Sequence, residues 1–141
     1  MYFNIRVYGI LINDNNEVLL SDENRFGLSF TKFPGGGLKF GEGIKACLKR
    51  EFQEELAVSI SIDKLFYLTD FFQESAFDPN EQIVSIYYLV SCNQIDNIKT
   101  HSSKFEIEFK ERETHRWQAI SDLNVSDFMF PIDKIVVEKL T

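Results

Sequence analysis

Five of the chain's seven glycines fall between Gly35 and Gly43, and from Ile44 to Asp78 there is neither glycine nor proline. Glycine lets backbone turn sharply and approach a ligand closely, so Pro34 to Gly43 predicts a loop rather than a regular helix or strand. Beyond it Ile44, Leu48, Phe52 and Leu56 recur at every fourth position, which predicts an amphipathic helix from about Ile44 to Ala57. Such a helix must lay one stripe against a hydrophobic face while the glycines fix how the chain enters it.

The polar residues of this helix are unusually placed. At roughly 100° per residue, Ile44, Cys47, Leu48, Phe52 and Leu56 trace one apolar arc. Glu51 and Glu55 project within that arc, and Glu54 lies just past its Cys47 edge. Spacings of three and four residues make these carboxylates neighbours on one side of the helix. Beside a packing stripe they are desolvated and repel one another unless a cation joins them. Oxygen ligands of this kind suit Mg²⁺ or Mn²⁺. The residues alone leave open a charged but metal-free helix.

Gly36, five residues, Glu42, seven residues, then Arg50-Glu51-Phe52-Gln53-Glu54-Glu55-Leu56-Ala57-Val58 resembles the signature box of the Nudix hydrolases. Every defined position of that box is matched except its late glycine, which is Ala57 here. The departure falls at a helix C-terminus, where glycine eases a left-handed turn, and it removes no ligand.

The resemblance implies an α/β/α sandwich with a mixed sheet between the box helix and a C-terminal helix. It implies a metal-dependent hydrolase that cleaves the diphosphate of a nucleoside diphosphate linked to a second moiety, by water attack on phosphorus. Mg²⁺ is the implied cofactor, with Mn²⁺ able to substitute. Glu54 and Glu55 are implied as metal ligands, Glu51 as ligand or general base, and Gly35 as a ligand through its carbonyl. Arg50, next to Glu51 and four residues before Glu54, is expected to orient the box carboxylates rather than form an ordinary surface pair. Glu42 is compatible both with the box and with a charge at the positive end of the helix dipole. Members of the family often add a carboxylate from a later loop. Glu111, six residues before Trp117, is the first candidate, followed by Glu113 and Glu108.

Composition narrows the partners. A net charge of −7 offers no basic patch for a nucleic-acid backbone, and an acidic protein that takes a polyphosphate needs divalent metal to bridge the two. The expected partner is a small nucleotide or nucleoside diphosphate derivative, with no nucleic-acid polymer and no membrane. Cys47 and Cys92 have neither metal-ligand nor disulfide-framework spacing and are expected to be buried small hydrophobes. No secretion signal, lipidation motif or apolar run near the ~18 residues of a membrane span is present, so a cytoplasmic monomer or homodimer is expected.

In order, the chain reads as a strand over Phe3–Ile12, a turn at Asp14-Asn15-Asn16 and a returning strand over Glu17–Asp22. A shorter strand over Phe26–Phe33 then leads into the glycines. Ser59–Gln73 is strand-like, Gln73–Gln82 an exposed loop, and Ile83–Cys92 a strong strand. After a polar connection, Phe105, Ile107 and Phe109 alternate with charges as an edge strand would. His115–Ile120 is another strand, and Ser121 is expected to cap a turn. Pro131 starts a last helix over Ile132–Leu140. One domain over residues 1–141 is expected, of α+β or mixed-sheet α/β class.

At 141 residues without an added dimerisation segment, a nucleoside triphosphate pyrophosphohydrolase is favoured over a nucleotide-sugar hydrolase. No downstream signature of the ADP-sugar, diadenosine polyphosphate, NADH or coenzyme A subfamilies is apparent. Two rivals remain: a catalytically silent nucleotide-binding sensor of the same fold, and a structural Mg²⁺-binding protein. All four box glutamates and the lack of a basic helix pair weigh against the first. Phe33, Phe71, Phe72 and Phe77 are rings able to stack on a base. His101 and His115 are left without a role.

Overall fold

A computed structural model describes residues 1–105 and 113–141. The strands are β1 (Tyr2–Leu11), β2 (Glu17–Arg25), β3 (Leu28–Lys32), β4 (Gly35–Gly37), β5 (Ser61–Leu68), β6 (Glu81–Ser91) and β7 (Glu113–Ala119). Helix α1 (Ile44–Leu56) follows β4, and helix α2 (Pro131–Leu140) follows β7. Four strands form a mixed sheet in the order β4-β1-β6-β5, with β1 and β6 parallel. The other three form an antiparallel sheet, β3-β2-β7. An Ile12–Val18 bridge at the β1–β2 turn links the two.

Alternation along the strands gives the sheets two buried faces. Val7, Leu11 and Leu19 point to one side, where they meet Cys47, Leu48, Phe52 and Leu56 of α1. Tyr8, Ile10, Val18 and Leu20 point to the other, where Ile132, Val136 and Val137 of α2 cover them. The result is the helix–sheet–helix layering expected of the resemblance. Because side chains on a strand alternate with period two, a residue shift in β1 or β2 would exchange the two cores.

The glycine run departs from expectation. Gly35–Gly37 is a short strand, paired antiparallel with Arg6–Tyr8 of β1, so neighbouring backbone supplies the hydrogen bonds that glycine's own preferences do not. Its glycines act by absence. A Cβ on Gly35, whose φ is +151°, would overlap the Val7 carbonyl, and one on Gly36 would overlap the Glu51 carboxyl group.

Other boundaries shift for local reasons. Phe26 and Gly27, with φ of 51° and 77°, make the two-residue turn between β2 and β3, so the third strand begins at Leu28. β5 stops at Leu68, which leaves Phe71 and Phe72 exposed. Ser121 lies inside a 3₁₀ turn over Ile120–Asp122 and caps nothing. Phe105 has φ of 58° and is not extended; the rest of the expected edge strand falls outside the described residues. Cys47 is buried and Cys92 half-buried against the same core. No helix among the described residues is long and apolar enough to cross a membrane.

Candidate active site

The packing of α1 decides where its charges go. With Cys47, Leu48, Phe52 and Leu56 buried, the neighbouring positions Arg50, Glu51 and Glu55 are held half-buried at the edge of the core. Ala57 closes the helix in the left-handed conformation (φ 55°), and its N–H donates to the Gln53 carbonyl. The box geometry therefore survives without the late glycine, at the steric cost that a Cβ carries in that conformation.

Arg50 is the hub of the first half of the site. Its Nε and Nη2 donate to both oxygens of Glu42 at 3.0 and 2.7 Å, a two-pronged pair. Nη1 donates to Glu51 at 2.9 Å and to Glu54 at 3.2 Å, and Nη2 also reaches the Gly37 carbonyl at 3.2 Å. These contacts tie the glycine strand to α1. The Arg50 fork and the Lys39 N–H bring the Glu42 carboxyl down to about 2, so it stays ionised. Glu42 is thus a strut for Arg50 more than a helix-start charge. Burial pushes the Cys47 thiol up to about 12, which fits its packing role.

Glu55 turns away from Arg50 toward β7. Register in the antiparallel sheet places Ser21 opposite His115 and beside Lys32. Glu113 accepts from the Ser21 hydroxyl and lies 3.6 Å from the Lys32 ammonium. His115 Nε2 is 3.5 Å from Glu113 and 3.9 Å from Glu55. Neither His115 Nε2 nor Glu55 Oε2 has a hydrogen-bond partner among the described residues, although both atoms are buried.

Burial raises the Glu55 carboxyl above its ordinary range, and neighbouring carboxylates add to this despite His115 and Lys32. Glu113 is buried too, but Lys32, His115 and Ser21 outweigh that and hold it low. The His115 imidazole is driven down by burial and up, more strongly, by Glu113 and Glu55. A cation would relieve Glu55 and give its free oxygen a partner, so the residues present fit a bound divalent metal.

On the α2 side of the sheets lies a cavity of about 550 Å³. Even-numbered residues of β1 (Tyr2, Asn4, Arg6 and Tyr8) form one wall, and Phe26, Phe30, Phe77 and Phe130 give it an aromatic rim. Phe77 packs against Phe26, Phe30 and Phe130 with ring centres 5.5 to 5.9 Å apart. At the start of α2 the buried Asp133 accepts from the Tyr87 hydroxyl at 2.5 Å, and burial pushes its carboxyl up to about 6. Arg6 and Lys32 belong to both halves of the site. Both line the cavity, and Arg6 feels the charge of Glu51 while Lys32 pairs with Glu113.

The family profile of the NUDIX domain matches residues 3–140. The chain belongs to the Nudix family. A curated relative, the 8-oxo-dGTP diphosphatase of Buchnera aphidicola subsp. Schizaphis graminum, is 26% identical over 136 residues, covering 96% of this chain and 91% of that protein. Among solved structures, a NUDIX hydrolase from Nitrosomonas europaea superposes with a TM-score of 0.71 at 18% identity, covering 97% and 87% of the two chains. The MutT NUDIX hydrolase of Burkholderia pseudomallei gives 0.66 at 20% identity over the whole of both. This Nudix protein is a hydrolase of phosphoric anhydrides, of the pyrophosphohydrolase kind.

Of the residues singled out in the sequence, Glu42, Glu51 and Glu54 come together around the Arg50 guanidinium, Gly36 lies against the Glu51 carboxyl group, and Gly35 adjoins it in β4. Glu55 joins Glu113 instead. Glu111 and Glu108 fall outside the described residues. Phe77 lines the cavity, whereas Phe33 is a fully buried core ring and Phe71 and Phe72 face solvent. Sequence reasoning missed Arg6, Lys32 and Asp133, and it left His115 without a role. The signal for Arg6 was present: Asn4, Arg6 and Tyr8 break the apolar run of β1 at every second position.

Proposed function

We propose that this Nudix enzyme is a metal-dependent nucleoside triphosphate pyrophosphohydrolase, with the nucleoside in the cavity and the phosphates led to the α1 carboxylates. One observation carries this reading: Arg6 and Lys32 line the aromatic-rimmed cavity, and the Lys32 ammonium at the same time lies 3.6 Å from Glu113 of the acidic cluster. A base can stack on the rings of the rim, while the cations offset phosphate charge between cavity and carboxylates. Asp133, held largely protonated below about pH 6, offers the base edge either a donor or an acceptor. The 8-oxo-dGTP diphosphatase relative points to the same substrate class.

Glu51, Glu54 and Glu55, with the Gly35 carbonyl, would hold the metal, and Glu113 is the described later carboxylate that reaches the cluster. A divalent ion bound there neutralises phosphate charge and makes bound water more acidic. Glu51, pressed against Gly36 and fixed by Arg50, takes the proton of the attacking water. Arg50 touches no substrate and positions Glu51 and Glu54. Attack on a phosphorus of the chain breaks one anhydride bond and gives a nucleoside monophosphate and pyrophosphate.

The test is a panel of nucleoside triphosphates, nucleotide sugars and dinucleotides incubated with Mg²⁺, with products separated by ion exchange. Equimolar monophosphate and pyrophosphate from a triphosphate is the expected result. Cleavage of sugar or dinucleotide substrates alone would replace the substrate assignment. Binding without any cleavage would favour the sensor.

A further inference from the structure

We propose that His115, with Glu55 and Glu113, forms a nitrogen-bearing divalent-cation site that prefers Zn²⁺ or Co²⁺ to Mg²⁺. The site rests on the functional reading in sharing Glu55 and Glu113 and goes beyond it in adding the His115 nitrogen. One ligand atom from each of the three side chains lies within 4.8 Å of the other two. His115 Nε2 stands 3.5 Å from Glu113 and 3.9 Å from Glu55. Ligand atoms about 2.1 Å from a common ion are about 3.0–3.4 Å apart, so the two His115 distances need to close by less than about 1 Å and the two carboxylates by at most about 1.8 Å.

The second, independent observation is the state of the imidazole. His115 is 7% exposed, and its Nε2 is a buried polar atom without a hydrogen-bond partner, aimed at two carboxylates. A buried nitrogen left in that state costs free energy that a metal ligand does not incur. Glu55 Oε2 is unpartnered in the same space. Charge points the same way. Glu23, Glu55 and Glu113 face one ammonium, Lys32, which pairs with Glu23 and Glu113 at 3.6 Å each. With the imidazole neutral and the carboxylates ionised, two negative charges remain, the complement of one divalent ion.

Donor chemistry sets the preference. Mg²⁺ takes oxygen ligands and demands regular octahedral geometry, whereas imidazole binds Zn²⁺ and Co²⁺ well and tolerates lower coordination. Glu51 and Glu54, which pair with Arg50, offer oxygen only. A single helix therefore serves two chemically different groups, with Glu55 as the residue common to both.

The experiment uses the whole chain without nucleotide, labelled with ¹⁵N-histidine; the sequence contains two histidines, His101 and His115. Zn²⁺ should move the His115 Nε2 resonance with saturation near one equivalent, while Mg²⁺ leaves it in place. By calorimetry, His115→Gln should weaken Zn²⁺ binding at least tenfold and alter Mg²⁺ binding less than twofold. An unmoved His115 resonance at saturating Zn²⁺, or equal Zn²⁺ affinity in the variant, overturns the site. If the variant does not fold, the wild-type resonance alone decides. His115-dependent Zn²⁺ binding in a chain that cleaves no nucleotide would retain this site and overturn the functional reading. Cleavage with an unmoved His115 would do the reverse.

Discussion

The α1 carboxylates and Asp133 at the start of α2 are buried acids treated in opposite ways. In the described part of the α1 cluster, Glu42, Glu51 and Glu54 share Arg50, and Glu113 has Lys32. The exception is Glu55, which has no Arg or Lys in contact among the described residues and lies 3.9 Å from His115. At the start of α2, Asp133 lies deeper and its hydrogen-bond partner is the Tyr87 hydroxyl, with no ion pair among the described residues. A paired carboxylate stays charged and can serve chemistry, whereas an unpaired one in the interior takes up a proton and becomes a hydrogen-bonding group. The difference separates a reacting end from a recognising end within one small protein.

Substitutions at the two places should accordingly differ in kind. Glu51→Gln keeps shape but removes the proton acceptor, so kcat should fall on the order of 10²–10⁴-fold even at saturating Mg²⁺, with little change in KM. Full rescue by excess metal would make Glu51 a ligand only and blur the contrast. Gly36→Ala forces the Glu51 carboxyl off the β4 backbone, and kcat should drop on the order of 10²-fold in a folded protein. Near-normal turnover there would mean that Glu51 does not work from this position.

Asp133→Asn should act on stability and binding more than on rate. The unfolded aspartate ionises near 3.8 and the folded one near 6, so the folded state holds a proton the unfolded state has lost. Stability contributed by that proton is complete below 3.8 and lost as pH rises through 6, a difference of up to about 3 kcal/mol. Asparagine cannot ionise and still accepts from Tyr87. Urea unfolding should therefore favour the variant at pH 8 relative to its standing at pH 4. An equal difference at both pH values would show that Asp133 is not neutralised by burial. Ala57→Gly, which changes the left-handed cap that closes α1 and no charged side chain, should be the smallest change. Relief of the left-handed alanine is partly offset by glycine's unfolded freedom, so melting should report under about 1 kcal/mol and kcat should not move.

The box was legible because its chemistry is local: spacing along a helix places Glu51, Glu54 and Arg50 together whatever the sheets do. The layering was legible as well, since alternation in β1, β2 and β6 and the period of α1 and α2 are written in neighbouring residues. The glycine strand was not, because its hydrogen bonds come from β1 and nothing in Gly35–Gly37 announces a partner. Glu55 was read with its helix neighbours although its side chain faces β7, a direction that only the β2–β7 register reveals. Lys32 and Asp133 escaped for the same reason. Each is a charge whose meaning depends on an element far away in the chain.

That distance has a consequence for how the protein is made. β2 meets β3 across a tight turn, but its other edge waits for β7, whose Glu113 reaches Ser21 across 92 positions of sequence. At synthesis rates of about 5–20 residues per second, the growing chain carries that edge unpaired for roughly 5–20 s. An open strand edge is a template for another chain, and the long loop to be closed slows the native pairing. The interval is one in which a chaperone or a neighbouring nascent chain competes for β2. Glu55 is translated early, yet it gains its partners across the sheet only when that competition has been won.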